Sequence, residues 1–475
     1  MSESIKKKTL KGTIWSTIER LSVQTVGFIV MILMARVISP TDYSLVGMIM
    51  VFIDISQSLV DGGFSQALIR KRDRIEVDNS TVFYFNVVVG FVLYFLLYAI
   101  APLIARFYEQ PSLIEIIRVI SIIVVCNSFV VVQRAILTIN IDFKTQARAS
   151  FIATVFGGVI GVVMAYTGFG VWAIVIYQLV NVFFNVVLLW WFSAWRPVWA
   201  YSWDSFRDLF GFGSKLALSG IINTLYNNLF LLVIGKFFRP ADLGYYSRAH
   251  QFGAFLSSNV TGILQRVTYP VLCSIQDDEV RLAEAYRKFI RLSAFVVFPC
   301  MLGLAALSKP LIVMLLTDKW LFSAKILQIL CLSMMWFPVH AINLNILQVK
   351  GRSDLFLRLE IIKKLIGISI VVITIPYGLI AMCWGQVINS YIALVLNCFY
   401  TEKLIGFGLL RQLKDLMPSL GYSFSMACVV YFVTCAINSD LLKLIIGFIV
   451  GVIWYFGVAY LTRSRDLKFL LTLKR

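Results

Sequence analysis

The segment "RVISPTDY" (residues 36–43) is a short polar break between two long apolar runs, and "KFFRPADL" (236–243) repeats it two hundred positions later. In both segments a proline is followed two residues later by an aspartate, and a small residue stands just before the segment. A second pair, "GFGVWAIVIYQLVN" (168–181) and "PYGLIAMCWGQVIN" (376–389), shares a glycine, an alanine, a glutamine and an asparagine at equivalent positions. These similarities predict two copies of one structural unit.

The composition is typical of a polytopic membrane protein. Of the 475 residues, 59% are hydrophobic and 14% are charged, whereas a soluble domain has about 25% charged residues. Apolar runs of 20 or more residues recur along the chain, and each can cross a bilayer core of about 30 Å as a helix. Breaks at charge clusters and at Pro/Gly turns predict about fourteen spans in an all-α fold. The eight cysteines lie mostly in apolar runs without CxxC spacing, so neither a metal site nor a cofactor is expected.

The repeat divides these spans into two lobes. Residues 1–205 are predicted to form an N-terminal lobe of helices 1–6, and residues 206–405 a C-terminal lobe of helices 7–12. Residues 406–475 add helices 13 and 14 and a basic tail. An even number of spans in each lobe predicts a parallel repeat about an axis along the membrane normal. Such an architecture places a substrate site between the lobes and permits alternating access.

Lysine and arginine residues mark one side of the membrane. If the lysine-rich N-terminus is cytoplasmic, then the loop at 70–78, the hydrophilic stretch at 273–291 and the basic C-terminal tail all lie on the same side. The positive-inside rule therefore predicts that both termini are cytoplasmic. This topology, with anionic membrane lipid, accounts for much of the net charge of +18, and no nucleic-acid partner is expected.

Three segments resemble the polysaccharide exporters, which are lipid-linked oligosaccharide (O-antigen-type) flippases of the multidrug/oligosaccharidyl-lipid/polysaccharide superfamily. They are "FGSKLALSGIINTLYNNLFLLVIGKFFRPADLGYYSRAHQF" (212–252), "LVDGGFSQALIRK" (59–71) and "RVTYPVLCSIQDDEVRLAEAYRK" (266–288). The resemblance implies two six-helix bundles around a central cavity in the bacterial inner membrane. It also implies that undecaprenyl-diphosphate-linked oligosaccharides are moved from the cytoplasmic to the periplasmic leaflet for surface polysaccharide synthesis. Partners would be a polysaccharide polymerase and glycosyltransferases.

One position departs from the family pattern. Many relatives carry an acidic residue in the seventh helix, six residues before the cation of "IGK", where this chain has Phe230 beside Asn227 and Asn228. Coupling to a cation through that helix is therefore in doubt here. Glu19 and Asp54, in the first and second spans, are the alternative acidic candidates for coupling to H⁺ or Na⁺.

Ionisable groups inside spans usually face a cavity or a partner, because inserting each costs about 2.5–3.5 kcal/mol. A diphosphate requires cationic donors, and sugars require amides, hydroxyls and aromatic faces. The candidate phosphate-binding cations are Arg20, Lys215, Arg248, Lys363 and Lys364. The candidate sugar contacts are Asn127, Asn223, Asn227 and Tyr226. Glu360 lies three and four residues before the last two cations, so a local ion pair is an alternative to a phosphate clamp.

Other functions are less consistent with the sequence. With two histidines and no paired carboxylates in a loop, the chain offers little for an enzyme of glycan assembly. A drug/cation antiporter of the same superfamily would need an acidic cavity, whereas the C-terminal half is basic. A peptidoglycan-precursor flippase is not excluded and remains the alternative.

Overall fold

The computed structural model of the chain describes residues 22–71 and 73–472, and within these ranges all regular secondary structure is helical. The chain forms two compact units, and the boundary between them falls between Gly244 and Tyr245. Each unit is described separately below.

Unit 1 contains eleven helices and the start of a twelfth within the described residues. They are α1 (Ser22–Val37), α2 (Pro40–Asp61), α3 (Phe64–Arg70), α4 (Glu76–Tyr108), α5 (Leu113–Ile120), α6 (Ile122–Ser128), α7 (Val131–Ile139), α8 (Phe143–Tyr166), α9 (Val171–Phe192), α10 (Trp203–Asn227), α11 (Leu229–Phe237) and the first residues of α12 (Pro240–Ser274). Helices α8 and α9 pack closely because Gly157 and Gly161 of α8 face α9. A third glycine of α8, Gly158, contacts Val30 of α1.

Unit 2 contains the rest of α12 and the remaining helices. They are α13 (Glu279–Ala306), α14 (Ser308–Leu316), α15 (Leu321–Met334), α16 (Phe337–Val349), α17 (Ser353–Thr374), α18 (Leu379–Ile405), α19 (Leu409–Cys435), α20 (Asp440–Leu461) and α21 (Arg465–Thr472). Short 3₁₀ turns precede α15 (Asp318–Trp320) and α18 (Ile375–Tyr377).

Ten helical segments of the described residues are long and apolar enough to cross a membrane, and the bent pair α10/α11 makes up to eleven. Three further predicted spans coincide with α1, α12 and α17. These helices are not both long enough and apolar enough, within the described residues, to count as membrane spans. The all-helical membrane fold is therefore confirmed, whereas the count of fourteen and the internal repeat remain predictions.

The repeated motif begins a helix in both places. Pro40 is the first residue of α2, and the preceding Ser39 caps the helix by accepting a hydrogen bond from the backbone N–H of Asp42 (3.1 Å). Pro240 likewise begins α12, where Arg239 donates to the carboxylate of Asp242 (3.2 Å). A proline at the first helical position loses no intrahelical hydrogen bond, so the motif sets where each helix starts.

Helix α10 packs along α2 and α3, which places the predicted seventh span in unit 1. At one end of this contact a Cβ on Gly63 would lie 2.5 Å from the carbonyl oxygen of Gly213. Gly63 also has a φ of +70°, which favours glycine on conformational grounds. The structural division after Gly244 differs in position from the repeat boundary predicted near residue 205. The repeat boundary describes how the two lobes arose from one unit, and it remains a prediction.

In unit 2 a buried polar network joins four helices. Tyr286 of α13 donates to Oδ1 of Asn343 on α16, and Gln412 of α19 donates to the same oxygen (3.2 Å) and to Oγ1 of Thr401 on α18 (3.0 Å). All four side chains are buried. Buried amides are stable only when hydrogen-bonded, so this network fixes α19 against the other three helices.

The C-terminal helix α21 is attached to α13. Arg291 of α13 forms an ion pair with Asp466 of α21 (3.2 Å), and Lys288 lies over the ring of Phe469 (3.5 Å). Burial raises the pKa of Asp466, and the charge of Arg291 offsets part of this effect. These two contacts hold α21 against α13, the helix that follows the hydrophilic loop at 275–278.

Candidate functional site

Helix α10 carries a polar stripe through an otherwise apolar segment. Lys215, Ser219, Asn223 and Asn227 follow one another at four-residue intervals, and all four side chains are exposed. Residues four apart lie on adjacent turns of the same helix face. Because polar side chains in a membrane span are placed towards water or protein rather than lipid, this stripe indicates a water-accessible surface.

The helix is broken at the end of this stripe. The axes of α10 and α11 meet at 45°, and Asn228 lies between them. Asn228 donates to the carboxylate of Asp54 on α2 (3.3 Å) and to the carbonyl oxygen of Thr224 (3.1 Å). One turn away, the hydroxyls of Ser58 and Thr224 are 2.9 Å apart. Broken helices of this kind provide polar groups within a membrane.

The other candidate cations lie in unit 2. Arg248 is half-buried on α12. Lys363 and Lys364 are half-buried on α17, and Lys363 forms an ion pair with Glu360 on the preceding turn. The structure thus contains the local ion pair that the spacing suggested, so an anion that binds Lys363 must compete with Glu360.

The remaining candidates occupy different elements of unit 1. Tyr226 is half-buried on α10, next to the stripe, and Asn127 is half-buried on α6. Glu19 and Arg20 lie outside the described residues. The structure therefore groups Lys215, Asn223, Tyr226 and Asn227 on one helix, with Asp54 bonded to the adjoining break, and leaves Asn127 on a separate element.

Several polar groups of this region were not selected from the sequence. Ser219 completes the stripe, and Ser58, Thr224 and Asn228 surround the helix break. The regular four-residue spacing from 215 to 227 was the available signal for Ser219. Among the described residues, no group of three or more His, Cys, Asp or Glu side chains is arranged to hold a metal ion.

Unit 2 also contains an apolar cavity of about 610 Å³ that the sequence did not indicate. It lies between α13, α14, α19 and α20, with one contribution from α12, and its wall includes Cys300, Gly303, Met426, Gly447 and Gly451. The glycines permit close packing beside the cavity, since a Cβ on Gly447 would lie 2.7 Å from Leu307 Cδ2 and one on Gly451 would lie 3.2 Å from Val430 Cγ2. Such a cavity suits a hydrocarbon chain rather than a sugar.

Directly after α3, an ion-pair cluster around Lys71 fixes the start of α10. Lys71 contacts both Asp78 of α4 and Asp208 of α10, each at 3.2 Å. Burial disfavours the charged ammonium, but the two carboxylates outweigh this effect and raise the pKa of Lys71. The cluster positions α10, and with it the polar stripe, against α3 and α4.

Comparisons with known proteins agree with this fold and composition. Residues 33–325 match the family described as "Polysaccharide biosynthesis protein". The teichuronic acid biosynthesis protein TuaB of Bacillus subtilis is 24% identical over 91% of this chain and 90% of its own length. The lipopolysaccharide biosynthesis protein WzxC of Escherichia coli is 25% identical over 90% of this chain and 89% of its own length. The solved structure of the lipid II flippase MurJ, in an inward closed conformation, has a TM-score of 0.78 at 17% identity and covers 96% of this chain and 99% of that one.

Proposed function

The chain belongs to the family described as "Polysaccharide biosynthesis protein", and we propose that it is a flippase. It would move undecaprenyl-diphosphate-linked oligosaccharides from the cytoplasmic to the periplasmic leaflet by alternating access. The observation that carries this proposal is the exposed polar stripe on α10, which places Lys215 in line with Asn223 and Asn227. A cation followed by amides within a membrane span suits a substrate with a phosphate at one end and sugars beyond it.

The cations proposed to interact with the diphosphate are Arg20, Lys215, Arg248, Lys363 and Lys364. Arginine binds phosphate oxygens through two parallel hydrogen bonds, and lysine acts as a point charge. Glu360 holds Lys363 while no anion is bound, which limits the cost of a cation in the membrane. The sugars are proposed to contact Asn223, Tyr226, Asn227 and Asn127.

The polyprenyl chain is proposed to enter the apolar cavity of unit 2. Because the polyprenyl chain comes from lipid hydrocarbon rather than from water, its binding in the cavity depends on packing contacts and on the shape of the cavity. The membrane potential, negative inside, favours outward movement of the diphosphate by about 2.3 kcal/mol per charge per 100 mV. An exchanged H⁺ or Na⁺, bound at Asp54 or Glu19, would add to this driving force.

The protein is a multi-pass membrane protein. Both termini are proposed to be cytoplasmic in a bacterial inner membrane, with a polysaccharide polymerase and glycosyltransferases as partners. A peptidoglycan precursor also carries a diphosphate and a polyprenyl tail, so it is the second candidate substrate. The names of the relatives, which concern teichuronic acid and lipopolysaccharide, favour the surface-polysaccharide substrate.

The test neutralises the proposed cations in a strain that depends on this chain for glycan export. The five cations Arg20, Lys215, Arg248, Lys363 and Lys364 are changed to glutamine singly and together. Lys443→Gln, which removes a similar lysine paired with Asp440, is the control. We expect surface polysaccharide to fall and the lipid-linked precursor to accumulate in the combined variant, with normal protein abundance. Full export by the combined variant would refute the anion site.

A further inference from the structure

The segment that joins α9 to α10 concentrates aromatic side chains at one end of unit 1. Five of the eleven tryptophans of the chain lie there, at positions 190, 191, 195, 199 and 203. Trp191 is 80% exposed and Trp199 is 97% exposed. Tryptophan is enriched where membrane spans meet the lipid headgroups, and α9 ends at Phe192, so this segment lies at headgroup level. None of these tryptophans has a part in the proposed function.

A groove of about 480 Å³ opens beside this segment. The residues that line it belong to α9, to the turn before α7 and to the linker after α9: Phe129, Val186, Val187, Trp190, Trp191 and Arg196. The four α9 residues lie on two successive turns of one helix face, so the groove runs along the helix from its last turn towards the membrane interior. The wall is apolar along the helix, and its one charged residue follows the helix end.

Two indole hydrogen bonds fix the sides of the groove. The indole N–H of Trp190 donates to the carbonyl oxygen of Phe129 (3.0 Å), which joins α9 to the turn before α7. The indole N–H of Trp195 in the linker donates to the carboxylate of Glu76 at the start of α4 (2.7 Å). These bonds pre-organise the groove, which lowers the cost of ordering it around a ligand.

Arg196 brings a positive charge to the headgroup end of this groove. Its guanidinium donates to the carbonyl oxygens of Ser193 (2.6 Å), Trp195 (2.8 Å) and Trp190 (2.7 Å). Among the described residues, none of the lysine and arginine ion pairs includes Arg196. The carbonyl oxygens fix the orientation of the guanidinium without neutralising its charge, and arginine matches the oxygens of a phosphate.

We propose that this groove binds one anionic phospholipid of the bilayer, with its phosphate on Arg196 and an acyl chain along Val187 and Trp191. A cation at headgroup level beside an apolar strip of a span has the charge and shape of such a lipid. A zwitterionic lipid places an ammonium beside its phosphate, so the charge of Arg196 favours a headgroup with net negative charge. Because the linker leads directly into α10, the bound lipid also stabilises the start of that helix.

The test titrates the full chain in detergent with phosphatidylglycerol or phosphatidylcholine of equal chain length, and native mass spectrometry counts the bound lipid. We expect one phosphatidylglycerol to bind about tenfold more tightly than phosphatidylcholine. Arg196→Gln should remove this preference, since the hydrogen bond to a charged group is lost. Val187→Trp keeps Arg196 but fills the groove from an exposed position, and it should also weaken the binding of phosphatidylglycerol.

Arg74→Gln is the matched control. Arg74 precedes α4 and also donates to a backbone carbonyl oxygen, that of Lys71 (2.9 Å), but it does not line the groove. Its replacement removes the same charge and should leave lipid selectivity unchanged.

Three outcomes would overturn the lipid site. They are equal binding of the two lipids, an equal loss in Arg74→Gln and Arg196→Gln, and unchanged binding in Val187→Trp. The first two would identify the tryptophan-rich segment as a general interfacial anchor. If Arg196→Gln lowers protein abundance, Arg196→Lys replaces it, and this variant must prefer phosphatidylglycerol while Val187→Trp loses it. Lipid binding is measured without glycan export, so the result does not depend on the proposed function.

Discussion

Gly244 on α12 lies against Pro40, the first residue of α2, so the start of α12 contacts the start of α2. A Cβ on Gly244 would lie 2.1 Å from the carbonyl oxygen of Pro40, which is far inside van der Waals contact with the backbone. The same polar break that starts both helices therefore also brings their first turns together, and glycine is the residue that permits this approach.

The first prediction concerns this contact. Gly244→Ala should destabilise the protein by about 1–3 kcal/mol, because the added methyl group must push two backbone segments apart. Thermal unfolding in detergent or nanodiscs measures the effect. Gly220→Ala on α10 is the control, since a Cβ there has nothing within 4 Å, and it should be neutral or slightly stabilising. Equal melting temperatures for the two variants would contradict the close approach.

The second prediction concerns the buried network of unit 2. Gln412→Leu removes the donor that bonds Asn343 and Thr401, and leaving buried polar groups without partners costs about 1–3 kcal/mol. The variant should unfold at lower temperature than Gln348→Leu, which changes an exposed glutamine of α16. A loss no greater than that of the exposed control would mean that the network does not fix α19.

The sequence predicted the membrane class because span length and charge depletion follow directly from the bilayer thickness. The functional role of Lys215, Asn223 and Asn227 remains a prediction; what the structure adds is that these residues lie on one exposed face of α10. The sequence did not predict their alignment with Ser219, because serine is common in helix packing and carries no such signal by itself.

Contacts between segments far apart in the chain could not be predicted from the sequence. Asp54 and Asn228 are 174 residues apart, and their hydrogen bond depends on the bend between α10 and α11. No proline or glycine at the bend indicates it in the sequence. The packing of α10 in unit 1 likewise depends on Gly63 approaching Gly213, which a single sequence does not reveal. The apolar cavity of unit 2 arises from five helices, and each of its residues reads individually as an ordinary core position.

The third prediction concerns topology. Single cysteines are introduced at Asp277 and Lys319, which are both exposed and lie in different loops, in a chain without native cysteines. The positive-inside rule predicts that an impermeant thiol reagent labels position 319 in intact spheroplasts and position 277 only after permeabilisation. Labelling of position 277 in intact spheroplasts would reverse the assignment of both termini to the cytoplasm.

The last prediction tests whether the cavity of unit 2 binds the polyprenyl chain. Cys300 lines this cavity and its side chain is exposed, so Cys300→Trp should fill part of the space without disturbing a buried core position. The indole ring would exclude part of the hydrocarbon chain from the cavity and remove its packing contacts there, which weakens binding. Export at low substrate levels should fall accordingly, with protein abundance and melting temperature unchanged. Cys435→Trp is the matched control, because Cys435 is an exposed cysteine at the end of α19 that does not line the cavity. A stable Cys300→Trp protein that exports as well as the control would show that the lipid tail travels elsewhere, and the anion site would then stand without it.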